Sequence, residues 1–426
     1  MGLASPSVYC IIYIEPYRHL EGGEVGVRVS AMSVYQPTQG QHGEEKSGRS
    51  CLLQGIGLPL YYFSKAEKDS GCSSEKIEPQ STFLDRLLKE WDDRKVRRLF
   101  HHDVNAYETK ILSGDYGFIL QLIEGRDLKK RPTEFRIDRV LQPFDGKKFN
   151  FTKIAQEEML IRFEESENDD RGFFENTPIA ASESPNVIAI NVSPIDYGHV
   201  LLIPRILDCL PQRLDEQSFS LAVYVAREAE TPYFRVAYNS LGAFATINHL
   251  HFQAFYLVGA FPVEKAPTQR IMTLASGVEI FQLSHYPVRG LVFGGGSNLE
   301  DLSIAVSIAC IFLQDNDIPY NVIISDAGKR IFLLLQCYAE KRTRGEVNQE
   351  FLEMQINPAA WELGGYMVVK RRKDYQETSE DTLWRFLDEV ASVSAERFKE
   401  IKECILSTLS DKIVERNMGR EDDHKC

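Results

Sequence analysis

The sequence predicts an α+β fold in which helices pack on an antiparallel sheet. Two short apolar stretches, residues 187–192 and Val200–Ile203, flank a turn that contains Gly198 and have the pattern of a β-hairpin. Residues 215–230 follow with apolar side chains at helical spacing, and residues 233–238 begin a second pair of strands. The order strand, strand, helix, strand, strand is typical of one helix lying across one antiparallel sheet.

A weaker copy of this order follows from residue 299 onwards. Both copies run as helix, Pro-Tyr, apolar strand, glycine turn, apolar strand, Gln and Tyr, with Pro232 and Tyr233 in the first copy and Pro319 and Tyr320 in the second. Such self-similarity favours a duplication in which only the first copy kept a reactive face; two unrelated hairpins of similar pattern are the alternative. The predicted division is an irregular N terminus at 1–50, a catalytic half at 51–270, a degenerate second half at 271–375, and C-terminal helices with a frayed tail at 376–426.

Helices are also predicted before and after these two copies. Apolar residues at helical spacing indicate a helix within residues 81–100, and Thr82 with Asp85 is its predicted capping box. Two amphipathic stretches after Glu377 predict two C-terminal helices. The apolar faces are Leu383, Trp384, Leu387 and Val390 on the first, and Phe398, Ile401, Cys404, Ile405 and Leu409 on the second.

Composition places the chain among ordinary globular proteins. Of its 426 residues, 43% are hydrophobic and 26% are charged. The net charge of -13 argues against extended binding to nucleic acid or to an anionic membrane, because both require clustered Lys and Arg. Eight cysteines are scattered without a C-x-x-C pair, and the apolar run at residues 8–14 is too short to cross a bilayer. We therefore expect a reduced, cytoplasmic protein, and we leave a nuclear pool open.

The segment from Tyr238 to Tyr256 contains the sequence H-L-H-F-Q at residues 249–253. Strict alternation of polar and apolar residues is the period of a strand, so the sequence predicts His249, His251 and Gln253 on one face. Gly242 and the small residues after it would let the backbone approach a ligand closely. The polar face is therefore a candidate reactive site.

Three interpretations of this face remain open at the level of residue types. The first is an ordinary strand whose polar side carries histidines, and the second is a zinc site made by two imidazoles. Gln is a poor zinc ligand, and the motif contains neither Cys nor carboxylate, so the second interpretation ranks below the third. The third is a nucleophilic histidine that attacks phosphorus, with its neighbours as donors to phosphate oxygens.

A basic segment stands out in this acidic chain between residues 126 and 139. Its basic residues are Arg126, Lys129, Lys130, Arg131, Arg136 and Arg139. An acidic protein that binds a diphosphate needs local positive potential, so Arg131 and Arg136 are candidate phosphate ligands; a solvated loop is the alternative. Lys153 is a further candidate for the same ligand, and a solvent-facing lysine is the alternative there as well.

Five segments carry a resemblance to a known family. They are R-P-T-E-F-R-I-D-R-V-L-Q-P-F-D from Arg131, F-N-F-T-K from Phe149, N-V-S-P-I-D-Y-G-H-V-L-L-I-P-R from Asn191, N-H-L-H-F-Q from Asn248 and N-P-A-A-W-E-L from Asn357. Together they resemble the plant GDP-L-galactose phosphorylases, a branch of the histidine-triad superfamily related to the galactose-1-phosphate uridylyltransferases. The resemblance covers residues 58–398, and it implies a histidine-triad-like antiparallel sheet with packed helices, duplicated as in the uridylyltransferases.

The chemistry implied by the resemblance is a guanylyl transfer in two steps. His251 would attack the α-phosphorus of a GDP-hexose and release hexose 1-phosphate, and inorganic phosphate would then release GDP. An imidazole with an ordinary pKa of about 6.5 is mostly neutral at pH 7, so this nucleophile needs no separate base. The implied supporting residues are His249, Gln253, Thr246, Asn248 and Asn239. The implied partners are a GDP-hexose and inorganic phosphate, with no cofactor or metal, and we leave a homodimer open.

The chain also departs from the superfamily pattern. Many triad hydrolases have Gly-Gln before the Thr or Ser that precedes the first His by three, whereas Phe244 and Ala245 occupy those places here. Gln253 replaces the third His, as in the transferase branch, and the zinc-binding cysteines of some uridylyltransferases have no match. The alternatives are a GDP-D-glucose phosphorylase, a nucleotide-sugar hydrolase and a non-catalytic nucleotide-sugar sensor.

Overall fold

The computed structural model describes residues 25–26, 53, 57–66, 81–125, 139–175, 177, 179 and 183–423. The predicted irregular N terminus at 1–50 lies outside these ranges, except for the two residues Val25–Gly26. Most of the basic segment, residues 126–138, also lies outside them.

Sixteen strands are present in the described part of the chain. They are β1 Val25–Gly26, β2 Leu60–Phe63, β3 Glu108–Ile111, β4 Ile119–Leu122, β5 Met159–Glu165, β6 Gly172–Phe174, β7 Val187–Ile190, β8 Val200–Ile203, β9 Phe234–Asn239, β10 Phe252–Tyr256, β11 Thr268–Thr273, β12 Val278–Leu283, β13 Gly290–Gly295, β14 Tyr320–Ser325, β15 Arg330–Leu335 and β16 Tyr366–Val369. Twelve of them form one sheet, in the order β11-β12-β13-β15-β14-β9-β10-β8-β7-β5-β2-β6. The other four form a smaller sheet, in the order β1-β3-β4-β16.

The helices cover both faces of the large sheet. They are α1 Thr82–Val96, α2 Glu216–Glu228, α3 Pro262–Lys265, α4 Leu299–Asp315, α5 Tyr338–Thr343, α6 Gln349–Met354, α7 Ala360–Leu363, α8 Arg372–Glu377, α9 Glu380–Arg385 and α10 Ala395–Asp423. Short 3-10 turns occur at Val104–Ala106, Phe151–Lys153, Gln156–Glu158 and Ile206–Asp208, and a π-helical turn at Phe386–Ala391 follows α9.

The strand order confirms the duplicated α+β fold. In the first half the hairpin β7-β8, helix α2 and hairpin β9-β10 assemble in the order β7-β8-β10-β9. In the second half β12-β13, α4 and β14-β15 assemble in the equivalent order β12-β13-β15-β14. The two halves join where β9 pairs antiparallel with β14, and there Asn239 lies opposite Asn321.

Alternation along the central strands divides the core into two layers. On β9, Phe234, Val236 and Tyr238 face one core, which is covered by α1, α2, α4 and α10. Ala237 of the same strand faces the other core, which contains Trp361 of α7 and the residues of α9. This alternation is the period of two expected of a strand buried on both sides. Because β9 and β10 pair antiparallel, the end of β9 and the start of β10 lie at the same edge of the sheet.

Local signals placed most of these helices correctly. Helix α4 has the bounds that its pattern predicts, and Asp215 caps α2 by accepting a hydrogen bond from Ser218 N. The predicted capping box of α1 is wrong by one position, because Ser81 Oγ rather than Thr82 accepts the hydrogen bond from Leu84 N. Ser81 also donates to the carbonyl of Glu228 at the end of α2, a long-range contact that local sequence does not reveal.

The predicted C-terminal helices are present as α9 and α10. Of the predicted apolar faces, Leu383, Phe398, Ile401, Ile405 and Leu409 are buried in these helices, and Leu387 and Val390 are buried in the π-helical turn after α9. Trp384 is half-buried and Cys404 is exposed, so the prediction that Cys404 lies on the buried face is wrong. Helix α10 packs along α4 and continues to Asp423. Within the described part of the chain, no helix combines the length and apolarity needed to cross a membrane.

Candidate active site

The H-L-H-F-Q segment lies at the entrance to β10 rather than wholly within it. Strand β10 begins at Phe252, so the prediction that His249 and His251 are strand residues is wrong. The reason is that this segment pairs with a loop instead of a strand: Leu250 N donates to Leu210 O at 2.8 Å. Both imidazole rings nevertheless pack against the ring of Phe151, which places them on the same side of the segment.

His251 is held in one tautomer by a backbone carbonyl. Its Nδ1 lies 2.8 Å from the carbonyl oxygen of His249, and its side chain is almost fully buried. A carbonyl only accepts hydrogen bonds, so Nδ1 carries the proton and Nε2 carries the lone pair. The carbonyl belongs to the same segment, two residues before His251. This geometry gives the imidazole the form required of a nucleophile.

His249 is a fully buried, neutral neighbour of His251. Its Nδ1 accepts a hydrogen bond from Phe151 N at 3.1 Å, so the proton of the neutral ring is on Nε2. Among the described residues, no group accepts a hydrogen bond from that Nε2. Burial, with a smaller contribution from His251, lowers the pKa of His249 to about 3. The ring therefore stays uncharged at physiological pH and acts as a fixed support for the segment.

Gln253 is oriented by a histidine that the sequence analysis did not assign to the site. His199 Nδ1 accepts a hydrogen bond from Ile195 N at 3.0 Å, which places the proton of its neutral ring on Nε2. That Nε2 lies 3.3 Å from Gln253 Oε1 and 3.2 Å from Asn191 Nδ2, and of these two atoms only the Gln253 oxygen can accept its proton. The carboxamide of Gln253 therefore keeps its oxygen toward His199 and its NH2 group available as a donor.

The turn before β8 explains how His199 reaches this position. Gly198 has a φ of 66°, and a Cβ added there would lie 2.7 Å from Leu88 Cδ2. Only glycine satisfies both conditions without strain. The G-H-V-L-L-I-P segment was noted in the sequence as a motif, but its contact with Gln253 depends on the pairing of β8 with β10.

A cavity of about 100 Å³ lies beside His251. The predicted residues Asn239, Thr246, His251 and Gln253 all line it, so the structure brings these four together. Ligand sites that enclose a whole drug-sized molecule measure about 300–1,000 Å³, so this cavity is sized for a phosphoryl group. The rest of a larger ligand would extend beyond it.

The second half of the chain supplies the opposite wall of this cavity. Asn357, Trp361, Glu362 and Lys370 line it, and none of them was among the predicted site residues. Lys370 follows β16 and its Nζ donates to Gln355 O at 2.9 Å. The N-P-A-A-W-E-L segment was visible in the sequence, but nothing local indicates that it faces His251. The cavity is thus shared by the two halves.

Other predicted binding residues lie elsewhere. Both ends of the Asn248 amide are bonded to the backbone, because Oδ1 accepts from Gln212 N at 2.8 Å and Nδ2 donates to Pro143 O at 2.9 Å. Lys153 is exposed, and its Nζ donates to the carbonyls of Lys147 and Lys148. These contacts give Asn248 and Lys153 structural roles and keep them out of the cavity lining.

The basic segment is described only at its last residue. Arg131 and Arg136 lie outside the described residues, so their assignment to phosphate remains a prediction. Arg139 is described, and its Nη1 lies 3.2 Å from Asp317 Oδ2. Within the described ranges, no three His, Cys, Asp or Glu side chains are grouped to bind a metal ion.

Phe244 occupies the position where the triad hydrolase pattern has glycine. It lines the cavity with a φ of 69°, in the left-handed region that favours glycine. Its ring packs on Tyr338 of the second half, with centroids 5.4 Å apart. The contact compensates for the strained backbone and closes one side of the cavity.

Gln253→Glu tests the donor role of this carboxamide. The carboxylate would still accept from His199 but would present negative charge where an NH2 group now lies. Loss of one such donor to a developing oxyanion typically costs about 100- to 1,000-fold in kcat, and we expect a decrease of that size for this variant. The matched control is Gln269→Glu on the exposed edge strand β11. Equal kinetics for the two variants would remove Gln253 from the site.

The chain has a histidine-triad-like fold. Similarity to solved structures agrees: yeast Ap4A phosphorylase Apa2 in complex with AMP superposes with a TM-score of 0.50 at 15% identity, covering 75% of this chain and 100% of that one. The family models GDPGP1-like N-terminal domain and GDPGP1-like C-terminal domain match residues 82–255 and 262–412. The chain therefore belongs to the GDPGP1-like family.

Two relatives span most of the chain. GDP-L-galactose phosphorylase 1 of Arabidopsis thaliana is 57% identical over 380 residues, which cover 87% of this chain and 86% of the relative. GDP-D-glucose phosphorylase 1 of Homo sapiens is 32% identical over 318 residues, which cover 71% of this chain and 77% of the relative. The first family-model match, over residues 82–255, contains the H-L-H-F-Q segment, and the second, over residues 262–412, contains most of the second half.

Proposed function

We propose that this protein is a GDP-L-galactose phosphorylase, which converts GDP-L-galactose and inorganic phosphate into L-galactose 1-phosphate and GDP. The observation that carries the proposal is the tautomer of His251, whose Nδ1 is bonded to the His249 carbonyl and whose Nε2 is the nucleophilic nitrogen. The 57% identity with the Arabidopsis thaliana relative of that name supports the choice of substrate. We assign the reaction to ascorbate formation and the protein to the cytoplasm as parts of the same proposal.

In the first step, the lone pair of His251 Nε2 attacks the α-phosphorus of the GDP-sugar. The Nε2–P bond forms, and the bond from phosphorus to the bridging oxygen breaks. The electron pair stays on hexose 1-phosphate, which is a stable anion and needs no strong general acid. The guanylated imidazole gains positive charge, and the hydrogen bond from Nδ1 to the His249 carbonyl stabilises it.

In the second step, an oxygen of inorganic phosphate attacks the same phosphorus from the opposite side. The P–Nε2 bond breaks, the lone pair returns to His251, and GDP leaves. No proton is stored on the imidazole between the steps, because Nδ1 keeps its own proton throughout. The residues around His251 therefore contribute orientation and electrostatic stabilisation.

The cavity residues fit these two needs. The NH2 group of Gln253 and the hydroxyl of Thr246 are donors for non-bridging phosphoryl oxygens. Among the described residues that line the cavity, Lys370 is the one cation, and it balances charge that accumulates on the phosphates. His249 does not line the cavity, and burial keeps its ring neutral, so it contributes no charge to the site.

GDP-D-glucose phosphorylase is the second candidate function, because the human relative of that name is 32% identical. The discriminating measurement is kcat/KM for GDP-L-galactose and GDP-D-glucose under the same conditions. We expect GDP-L-galactose to be preferred, since the 57% identical relative carries that name. A preference for GDP-D-glucose would identify the protein as a GDP-D-glucose phosphorylase, and the two-step mechanism would be unchanged.

Product analysis separates phosphorolysis from the remaining alternatives. With GDP-L-galactose as substrate, GDP should form only when inorganic phosphate is added, and its amount should equal that of hexose 1-phosphate. GMP released without phosphate would indicate a hydrolase that uses water in the second step. Binding of GDP-sugar without turnover, unaffected by His251→Asn, would indicate a sensor.

A further inference from the structure

Gln212 makes an unusual set of contacts with the backbone of His251. Its side chain is buried, and its Oε1 accepts a hydrogen bond from His251 N at 2.9 Å. Its Nε2 donates to His251 O at 3.1 Å and to Asn239 O at 2.9 Å. One carboxamide thus bonds both polar backbone groups of the nucleophilic residue, in the way that a neighbouring strand would.

The backbone around Gln212 makes further hydrogen bonds to residues 248–250. Gln212 N donates to Asn248 Oδ1 at 2.8 Å, and Leu210 O accepts from Leu250 N at 2.8 Å. Gln212 O accepts from Tyr238 OH at 3.2 Å. Residues 210–212 therefore take the place of a neighbouring strand for the two histidines, which lie just before β10, where regular strand pairing has not yet begun.

The contacts of Gln212 reach the second half of the chain through Asn239. Asn239 Oδ1 accepts from Asn321 Nδ2 at 2.6 Å and from Ala360 N at 2.9 Å. Asn321 Oδ1 in turn accepts from Gln336 Nε2 at 2.8 Å. The position of His251 is thereby fixed relative to α7, which carries the opposite wall of the cavity.

We propose that Gln212 is a positioning residue for His251, and that it sets the rate at which the Nε2–P bond forms. This inference rests on the proposed function. The orientation of the imidazole depends on two things: the position of the His251 backbone and the hydrogen bond to the His249 carbonyl. Gln212 fixes the first of these, because it bonds both the N–H and the carbonyl of His251. Misplacement of a reacting group by about 1 Å can cost about 100-fold in rate. Gln212 contributes no charge and does not line the cavity, so its effect is on orientation and not on substrate binding.

The chain provides a closely matched control for this residue. Gln314 is also buried, and its carboxamide also bonds both polar groups of one residue, Leu214, accepting from N at 3.1 Å and donating to O at 2.8 Å. Methionine is unbranched and close to glutamine in size, so Gln212→Met and Gln314→Met each remove one such carboxamide with little change in packing. Gln314 also accepts from Tyr320 OH at 3.2 Å, and only the first change removes hydrogen bonds made to His251 itself.

The test is a single-turnover measurement at saturating GDP-L-galactose without phosphate. Gln212→Met should form the guanylyl adduct about 100-fold more slowly than wild type. Its KM for the GDP-sugar, measured in steady-state assays with phosphate, should stay within about twofold of the wild-type value. Gln314→Met should keep the wild-type rate, while the two variants lose similar thermal stability. Equal adduct rates in the two variants, or a change in KM alone, would overturn the inference.

A second variant keeps the inference testable if Gln212→Met does not fold. In Gln212→Glu the protonated acid can donate to a carbonyl, whereas the carboxylate faces the carbonyls of His251 and Asn239 without a donor. Its adduct rate relative to wild type should therefore rise as the pH is lowered, and a constant ratio would contradict the positioning role. If wild type forms no adduct, the proposed function fails; if wild type forms it and Gln212 variants match wild type, only this inference fails.

Discussion

His251→Asn should lower kcat for phosphorolysis of GDP-L-galactose by at least about 1,000-fold, because it removes the nucleophile. Asn was chosen because its Nδ2 can still donate to the His249 carbonyl, as Nδ1 of His251 does now. The variant should therefore fold and still bind the GDP-sugar. The measurement is steady-state turnover together with binding of the GDP-sugar by calorimetry.

The matched control for this variant is His285→Asn. His285 is exposed, does not line the cavity, and has a φ of 51°, which asparagine tolerates well. Its substitution should leave turnover close to wild type. If His251→Asn kept more than about a tenth of wild-type kcat, nucleophilic catalysis by this histidine would be ruled out.

The second large effect is on stability in acid, and it involves His249. Burial lowers the pKa of His249 to about 3, whereas the unfolded chain has the ordinary value of about 6.5. Between these values the unfolded chain binds a proton that the folded protein does not, so the free energy of unfolding falls as the pH falls from 6.5 toward 3. The loss from this residue is roughly 1.4 kcal/mol for each pH unit in that range.

His249→Asn removes this titration while leaving an acceptor for Phe151 N. The variant should be less stable than wild type at pH 7.5, because it leaves a small cavity beside Phe144 and Phe151. The difference in free energy of unfolding should narrow by about 2 kcal/mol between pH 7.5 and pH 5.0. Urea unfolding of both proteins at the two pH values measures this, and a difference independent of pH would show that His249 is not buried as a neutral ring.

Local pattern was sufficient for much of the fold. The hairpin β7-β8 and the helices α2 and α4 follow from apolar periodicity, and the Pro-Tyr echo correctly indicated the duplicated sheet. Alternation around residues 249–253 predicted that His251 and Gln253 share one face, and both side chains line the same cavity. It failed at the start of β10, because pairing with a loop through Gln212 is decided by contacts 39 residues apart in sequence.

The rest of the candidate site depends on contacts between distant segments. His199 and Gln253 are separated by 54 residues, and Lys370 reaches the cavity only because β16 is placed beside it by the smaller sheet. Asn248 was predicted to be a ligand from its place in the motif, but both ends of its amide are bonded to the backbone of other segments, at Gln212 and at Pro143. A polar residue next to a reactive histidine can thus bind substrate or can stabilise the fold. Its hydrogen-bond partners in the structure show which of the two roles it has.

The most direct test of the central claim is to locate the covalent intermediate. Wild-type protein is mixed with GDP-L-galactose in the absence of phosphate, digested at neutral pH, and its peptides are analysed by mass spectrometry. We predict one guanylyl group on the peptide that contains residues 249–253, assigned by fragmentation to His251, and its disappearance as GDP when phosphate is added. A guanylyl group on any other residue, or hexose 1-phosphate released in a single turnover without any adduct, would contradict the account.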